Sequence, residues 1–291
     1  MKILVYGAGV LGSVHAARLH EGGHDVSLLA RGERLAALRR HGVRLAEGDS
    51  PAVHTVPVPV VEHPADGYDL TVVFVRTHQV DAVLESLADV GGDVLFLLNW
   101  AGGFAPLGAV LGLERVLLGF GVVGGTIDGD VVRYRRVSRL ARLLPMPIGE
   151  PDGRATPRLD RIVGAFRAAG LHVKAEPRMD AWLTTHAAFE VPLGQAVHAA
   201  GGPVALADDP AAVREMLRAM RAHLATVPGP TVPGAFAALR TLPEGLLVPV
   251  LRRFLRSPTA VQSGLSDDSP SAVAELDRLA AQLRSRRRDP R

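Results

Sequence analysis

The chain has 291 residues, of which 47% are hydrophobic and 22% are charged, a composition typical of a globular protein with one large or two ordinary domains. It contains no cysteine, which excludes disulfides, thiolate zinc sites and cysteine nucleophiles, and no apolar run reaches the roughly 18 residues of a membrane helix. The formal net charge is only +3, and the basic residues lack interleaved aromatic residues. We therefore expect a soluble, cytoplasmic protein that binds neither membranes, nucleic acids nor metals.

The first part of the chain alternates short apolar runs with helical patterns. This alternation predicts an α/β fold with a doubly wound parallel sheet of the Rossmann type. The predicted strands are Lys2–Tyr6, Asp25–Leu29, Ala52–Val61, Leu70–Val75 and Val94–Leu98. The predicted helices are Val10–Gly22, Arg34–Arg40 and Val80–Leu87.

The pattern then changes, and short strands follow one another without intervening helices. These strands are Val116–Val123, Thr126–Ile127, Val131–Tyr134 and Ala141–Ile148. Between the second and the third, Asp128–Gly129 is a hairpin signal. A helix at Leu159–Ala169 and a strand at Leu171–Ala175 complete a predicted Rossmann-type domain over residues 1–177.

From Met179 onward the pattern predicts only helices, which indicates an all-α domain over residues 178–291. The predicted helices are Met179–Ala200, Ala211–Ala225, a segment beginning at Gly234–Ala238, Gly245–Leu255 and Ser271–Leu283. Apolar residues of the fourth helix, such as Leu246 and Val250, could form either a core or a subunit interface. The basic run Arg284–Arg291 is interpreted as a solvated, frayed tail.

A glycine-rich turn joins the first predicted strand to the first predicted helix and forms a complete GxGxxG, the context that a dinucleotide-binding turn requires. Gly7 permits the tight turn, Gly9 lets a pyrophosphate approach the backbone, and Gly12 lets helix and strand pack closely. The free N–H groups at the start of the helix favour phosphates. The alternative is a structural turn that binds nothing. The predicted cofactor-binding residues here are Gly7, Ala8, Gly9, Val10, Leu11 and Gly12.

The end of the second predicted strand distinguishes NAD from NADP. An NAD site places an acidic residue there to bind the ribose 2′-hydroxyl, whereas this chain has Arg31 directly after the strand. Because a guanidinium matches the geometry of a phosphate, Arg31 predicts NADP(H). The alternative is an ordinary loop arginine, and Glu33 is the nearby acid that could instead favour NAD.

Several separated motifs together resemble one family. Besides the glycine-rich turn and Arg31, Val75–Gln79 reads VRTHQ, Leu98–Gly102 reads LNWAG, and the second half is all-helical. This combination resembles ketopantoate reductase (2-dehydropantoate 2-reductase) over nearly the whole chain, more strongly in the first half. The resemblance implies a reductase that uses NADPH to reduce ketopantoate, in pantothenate biosynthesis, or a related 2-keto acid.

The resemblance also assigns roles to individual residues. Arg76 stands for a lysine beside the adenosine end of the cofactor, and Gln79 completes the same cofactor-binding segment. Asn99 matches an asparagine near the nicotinamide ribose and substrate. Ser263 matches a serine that contacts the substrate carboxylate. Glu275 matches a glutamate that contacts the substrate hydroxyl. The alternatives for the last two are a loop serine and an exposed helix glutamate.

Two departures from the family pattern affect the predicted mechanism. Trp100 replaces the usual glycine after the asparagine, and we expect it to crowd that loop. The family's general-acid lysine lies in a helix that reads W-x-K-L-x-x-N; aligned on Trp182, the lysine becomes Thr184 and two family asparagines become Ala188 and Pro192. Threonine is a very poor acid, and loss of a general acid typically costs about 10²- to 10⁴-fold in rate.

His186 is the best substitute for the missing acid in the sequence. A histidine with its unperturbed pKa of about 6.5 suits proton transfer near neutrality. Glu190 follows four residues later, so the two share a helix face and the glutamate could orient the imidazole. The alternative is a His–Glu pair on a solvated helix face. His198 and His223 are weaker candidates.

The sequence thus leaves three hypotheses. The first is an NADPH-dependent reductase of a 2-keto acid or related carbonyl, with Thr184, His186, Glu190, Asn99, Ser263 and Glu275 as candidate catalytic residues. The second is a non-catalytic NADP(H)-binding sensor or partner protein. The third, a dehydrogenase of the opine or 6-phosphogluconate type, rests on fold analogy alone. The expected partner is a small-molecule carbonyl substrate, and a homodimer remains open.

Overall fold

The computed structural model describes residues 1–121, 123–135, 145–227, 229–257, 260, 267 and 269–288. The chain divides into two compact units. The first contains Met1–Leu98 and Phe104–Met179, and the second contains Asn99–Gly103 and Asp180–Arg291. The short segment Asn99–Gly103 therefore packs with residues far along the chain, which the sequence pattern does not indicate.

The first unit is built on a large, mostly parallel sheet. In the described part of the chain, eight strands form it in the order β12-β11-β8-β7-β6-β1-β2-β5, and only the β8–β11 pair is antiparallel. Its central strands are almost wholly buried, as the apolar runs predict. These strands are β1 (Lys2–Tyr6), β2 (Asp25–Leu29), β5 (Val60–Val61), β6 (Leu70–Val73), β7 (Asp93–Leu97), β8 (Val116–Gly119), β11 (Met146–Gly149) and β12 (Val173–Ala175).

The helices of the first unit connect these strands, so the predicted α/β Rossmann-type fold class is confirmed. They are α1 (Val10–Glu21), α2 (Gly32–His41), α3 (Val80–Leu87), α4 (Ala105–Leu111) and α5 (Pro157–Ala168). The α5 helix begins where Thr156 accepts a hydrogen bond from the backbone N–H of Leu159. The α4 helix was not predicted from the sequence.

A smaller sheet corrects the prediction for residues 43–61. Among the described residues, its strands lie in the order β4-β3-β10-β9, with bounds β3 (Val43–Glu47), β4 (His54–Val56), β9 (Gly125–Asp128) and β10 (Val131–Tyr134). The single strand predicted at Ala52–Val61 is wrong, because β4 and β5 belong to different sheets. Pro57 and Pro59 separate them, and proline cannot donate to a strand ladder. The predicted hairpin is confirmed, since β9 and β10 pair antiparallel.

Two predicted strands next to that hairpin are shorter than expected. The strand predicted at Val116–Val123 ends at Gly119, and the one predicted at Ala141–Ile148 begins at Met146. Of the second prediction, residues 141–144 lie outside the described part of the chain.

The second unit is helical, and no strand occurs among its described residues. Its helices are α6 (Met179–Ala200), α7 (Pro203–Asp208), α8 (Pro210–Leu224), α9 (Ala237–Thr241), α10 (Glu244–Leu255) and α11 (Pro270–Arg288). The α6 helix has the predicted bounds, whereas α7 was not predicted. In the described parts of the chain, no helix combines the length and apolarity needed to cross a membrane.

The core of the second unit is formed by apolar side chains of α6, α7, α8 and α10. On α10, Leu247 and Leu251 are buried in this core, whereas Leu246 and Val250 are each 61% exposed. The α11 helix continues to Arg288, so most of the basic run predicted to be frayed is helical.

Candidate functional site

The glycine-rich turn lies between β1 and α1, and close backbone contacts limit two of its positions to glycine. Gly7 has φ +108°, and a Cβ atom there would lie 2.3 Å from the carbonyl oxygen of Phe74. A Cβ at Gly12 would lie 1.8 Å from the carbonyl oxygen of Gly7. Only glycine fits either position: Gly12 because α1 packs closely against the turn, and Gly7 because of its positive φ and the close approach of the segment after β6.

The middle glycine has a different environment. Gly9 is exposed and caps α1 without a side-chain hydrogen bond. Among the described residues, nothing lies within 4 Å of a Cβ built on Gly9. The start of α1 therefore presents backbone N–H groups beside an open surface, and its first turn contains no acidic residue. These features fit the pyrophosphate of a dinucleotide.

Arg34, on α2, holds the glycine-rich turn. Arg34 donates hydrogen bonds to the carbonyl of Ala8, the hydroxyl of Ser13 and the carbonyl of Asp130, each at 3.1 Å. Arg44 in turn donates to both carboxylate oxygens of Asp130, and this bond keeps the pKa of Asp130 below its ordinary value. The turn is thus tied to the hairpin between β9 and β10. Nothing in the local sequence distinguishes Arg34 from the neighbouring arginines.

Arg31 lies directly after β2, as predicted, and its side chain is held by a neighbouring strand. Its Nη2 donates to the Tyr6 hydroxyl at 3.1 Å, and the guanidinium carbon lies 5.9 Å from the centre of the Tyr6 ring. The Tyr6 hydroxyl is also 3.0 Å from the Ser86 hydroxyl. Arg31 and Glu33 are both exposed. A cation is therefore oriented at the place where an NAD site would carry an acid.

The segment after β6 holds Arg76 at the same edge of the sheet. Gln79 accepts a hydrogen bond from the backbone N–H of Arg76 at 3.0 Å, which closes a 3₁₀ turn at Thr77–Gln79. Because β2, β1 and β6 are parallel neighbours, their carboxyl ends meet at one edge. The glycine-rich turn, Arg31 and Arg76 therefore lie along one edge of the first unit.

The second unit brings together three of the predicted catalytic residues. Asn99 Nδ2 donates to Glu190 Oε1 at 3.1 Å, and His186 Nε2 lies 2.9 Å from Glu190 Oε2. The Trp182 and His186 rings stack with centroids 5.4 Å apart and an interplanar angle of 19°. The His186 and Glu190 side chains are 25% and 27% exposed. We call Asn99, Glu190, His186 and Trp182 the polar row.

Thr184 has a different environment from the polar row, although it lies on the same helix. It is fully buried, and its hydroxyl donates to the carbonyl of Asp180 at 2.7 Å. Ala188, which aligns with a family asparagine, is buried in an apolar cluster with Leu224 and Val227. The residue that the resemblance aligns with the family lysine is therefore a buried threonine bonded to its own helix.

The other predicted residues lie elsewhere or outside the described residues. Ser263 falls outside the described part of the chain. Glu275 is partly exposed on α11, where the next residue, Leu276, packs against Gly194 of α6. His198 is exposed near the end of α6, and His223 is partly exposed in the last turn of α8.

The loop after Asn99 corrects two expectations. Trp100 does not crowd it: its side chain is 3% exposed, and its indole Nε1 donates to the carbonyl of Gly103 at 2.7 Å, which closes the loop on itself. Arg286 is not part of a solvated tail, because its side chain is only 19% exposed and donates to the carbonyl of Ala101 and the carboxylate of Asp180.

Comparison with sequence families and curated proteins identifies relatives of this chain. Residues 3–140 match the family model described as ketopantoate reductase PanE/ApbA. A 2-dehydropantoate 2-reductase of Mesorhizobium japonicum is 25% identical over 212 residues, 63% of each chain. Another, of Archaeoglobus fulgidus, is 28% identical over 182 residues, 60% of this chain and 55% of the relative. Both matches span less than two thirds of the relatives' length.

Solved structures resemble the whole chain in fold. A 2-dehydropantoate 2-reductase of Geobacter metallireducens superposes with a TM-score of 0.70 at 18% identity, over 98% of this chain and 99% of the other. A D-mandelate dehydrogenase bound to NADH and anilino(oxo)acetate superposes with a TM-score of 0.66 at 16% identity, over 99% and 100%. These comparisons confirm the family resemblance that the sequence motifs carry: residues 3–140 contain a domain of the ketopantoate reductase family.

Proposed function

We propose that the protein is an NADPH-dependent reductase of a 2-keto acid or related carbonyl, similar to 2-dehydropantoate 2-reductase. The observation that carries the proposal is the polar row, which places a histidine, a carboxylate and an amide in contact on the unit that contains the family's catalytic helix. The relatives named 2-dehydropantoate 2-reductase support the ketopantoate class of substrate. The D-mandelate dehydrogenase that binds an oxoacetate supports a wider range of 2-keto acids.

We assign cofactor binding to the first unit. The glycine-rich turn would hold the pyrophosphate through the backbone around Gly9 and the start of α1. Arg31, already oriented by Tyr6, would bind a 2′-phosphate and favour NADP(H) over NAD(H). Arg76 would lie beside the adenosine end.

We assign proton transfer to His186. When bound, the reduced nicotinamide supplies a hydride to the carbonyl carbon and becomes oxidised. His186 gives a proton to the carbonyl oxygen, so that the ketone becomes a hydroxyl, and the imidazole regains a proton from solvent. The contact of His186 Nε2 with Glu190 orients the imidazole for this transfer.

Glu190 and Asn99 orient this acid. The Glu190 carboxylate holds the His186 ring in one orientation, while Trp182 stacks on the ring face. Asn99 donates to the other carboxylate oxygen and fixes the rotation of the carboxylate. A side chain that transfers a proton, oriented by a second group that is itself held by a third, is typical of acid–base catalysis.

A second candidate function is NADP(H) binding without catalysis. It is favoured by the environment of Thr184, which is buried and bonded to its own helix where the family carries an acidic ammonium. Under this hypothesis His186 and Glu190 are an ordinary ion pair on α6.

The test is NADPH oxidation followed by absorbance with ketopantoate and a panel of other 2-keto acids. We expect turnover, and we expect His186→Gln to lower kcat by about 10²- to 10⁴-fold with an unchanged Kd for NADPH. The matched control is His198→Gln, an exposed histidine of the same helix, which should leave kcat unchanged. Tight NADPH binding without any turnover would favour the non-catalytic function, and full activity of His186→Gln would show that another group is the acid.

A further inference from the structure

Side chains of one helix, α11, bond both the N–H and the carbonyl of a residue in the loop that begins at Asn99. Ala101 is fully buried; its backbone N–H donates to Gln282 Oε1 at 2.8 Å, and its carbonyl accepts from Arg286 Nε. Gln282 and Arg286 are four residues apart on α11 and therefore project from the same face of that helix. Both polar groups of one loop residue are thus bonded by this pair, which we call the α11 clamp.

Arg286 also joins the loop to the helix that carries the polar row. Its Nη1 donates to Asp180 Oδ2 at 3.0 Å and its Nη2 donates to Asp180 Oδ1, so the pair is bidentate. Asp180 lies in the first turn of α6, whose later turns carry His186 and Glu190. A planar guanidinium can satisfy a carboxylate and a carbonyl together, which an ammonium cannot do with the same geometry.

The loop sequence is shaped around the α11 clamp. A Cβ on Gly102 would lie 2.7 Å from Trp100 Cζ2 and 3.2 Å from Gln282 Nε2. Gly103 has φ +73°, and a Cβ there would lie 2.9 Å from Arg286 Nη2. The two glycines therefore leave room for the clamp side chains and for the folded indole.

We infer that Gln282 and Arg286 are positioning residues for the reaction, an inference that rests on the proposed function. Asn99 lies two residues before Ala101, and its amide bonds Glu190 on α6. The α11 clamp fixes the backbone of Ala101 relative to α6 and so fixes where the Asn99 amide meets Glu190. Neither clamp residue exchanges a proton; both act through Asn99 and Glu190 on the orientation of His186.

The α11 clamp can be weakened without removing the packing of α11. Ala101 also packs in an apolar cluster with Ala187 and Val191 of α6 and Leu279, Ala280 and Leu283 of α11. Substitution of one polar side chain therefore leaves this apolar contact in place. Gln282→Leu removes the acceptor for the Ala101 N–H, whereas Gln282→Glu keeps an acceptor oxygen. Arg284→Ala, on an exposed arginine of the same helix, is the matched control.

The kinetic arm compares these variants with the wild-type protein in NADPH oxidation. Misplacement of a group at the reacting centre by about 1 Å costs on the order of 100-fold, so we expect Gln282→Leu and Arg286→Lys to lower kcat by about 10- to 100-fold. The Kd for NADPH should not change. Gln282→Glu should recover most of kcat, and Arg284→Ala should match the wild type. Equal kcat for Gln282→Leu and Arg284→Ala would overturn the inference.

A second arm does not depend on activity. In a Trp182→Phe background, Trp100 is the remaining tryptophan of the two in the chain, and its fluorescence reports on the loop. We expect acrylamide to quench Trp100 more strongly when Gln282→Leu is added, and Arg284→Ala to leave the quenching unchanged. Unchanged quenching in Gln282→Leu would overturn the α11 clamp. If the wild-type protein reduces no 2-keto acid, the proposed function fails, and the quenching alone decides whether α11 holds the loop.

Discussion

The glycine-rich turn and the polar row are specified by the chain in opposite ways. The turn is six consecutive residues, and the reason for two of its glycines is steric: a Cβ on Gly12 would collide with the carbonyl oxygen of Gly7 within the turn, and a Cβ on Gly7 with that of Phe74, directly after the neighbouring strand β6. The polar row joins Asn99 to Glu190, 91 residues later, through side-chain contacts. The comparison teaches that a contiguous motif can encode a backbone shape, whereas side-chain chemistry between distant residues depends on the packing of the whole unit.

The largest expected effect comes from a substitution that disrupts the glycine-rich turn. Gly12→Ala places a Cβ 1.8 Å from the Gly7 carbonyl oxygen, so helix and strand must separate. We expect a loss of about 3 kcal/mol or more in the free energy of unfolding, at the upper end for overpacking, together with loss of NADPH binding. Urea unfolding measures the first and fluorescence titration the second.

Gly9→Ala is the matched control within the same motif. Among the described residues, nothing lies within 4 Å of a Cβ on Gly9, so the free energy of unfolding should fall by no more than about 1 kcal/mol, the usual cost of an alanine cap. NADPH affinity should nevertheless fall, because the methyl group occupies the surface that the pyrophosphate needs. Equal destabilisation by the two alanines would contradict the division between packing and binding glycines.

The local structure of this protein follows most directly from its sequence. The alternation of apolar strands and helices, the turn and the all-helical second half follow from periodicity, glycine spacing and hairpin chemistry. The strand predicted at Ala52–Val61 is wrong because Pro57 and Pro59 interrupt the valine-rich alternation. The His186–Glu190 contact could be expected from helical spacing alone.

The remaining features of the candidate site depend on tertiary contacts that the sequence does not mark. Arg34 is one arginine among several around α2, and only the fold brings it to the carbonyls of Ala8 and Asp130. Arg286 lies in a basic run that composition alone indicates to be solvated. The bonds of Ala101 to Gln282 and Arg286 likewise join the loop to α11, which is remote in sequence.

The next largest expected effect is a pH dependence in the free energy of unfolding of the first unit, which contains the glycine-rich turn. His15, on α1, is 1% exposed, its ring centre lies 4.6 Å from the centre of the Phe74 ring at a tilt of 36°, and burial lowers its pKa from 6.5 to about 4. Its ring is therefore neutral in the folded protein at pH values where the unfolded chain binds a proton. Its contribution to stability is complete above about pH 6.5 and is lost as the pH falls towards 4, by about 3 kcal/mol in total.

The measurement is urea unfolding at several pH values between neutrality and pH 4 for the wild type and His15→Gln. Carboxylates also titrate in this range, so the prediction concerns the difference between the two proteins: the variant should lose less stability on acidification. His63→Gln, on an exposed histidine, should follow the wild-type curve. Parallel curves for wild type and His15→Gln would contradict the assigned cause.

The smallest expected effect concerns the choice of cofactor at the edge of the sheet. Arg31 is exposed and is oriented by Tyr6, so it would add a charge-assisted bond to a 2′-phosphate without a change in the fold. A bond of this kind contributes about 1.5–3 kcal/mol, so Arg31→Ala should weaken NADPH binding by about 10- to 100-fold and leave NADH binding unchanged. Arg40→Ala, an exposed arginine in the last turn of α2, is the control. If Arg31→Ala weakened both cofactors equally, the residue would act on the turn rather than on the phosphate, and the preference for NADP(H) would need another source.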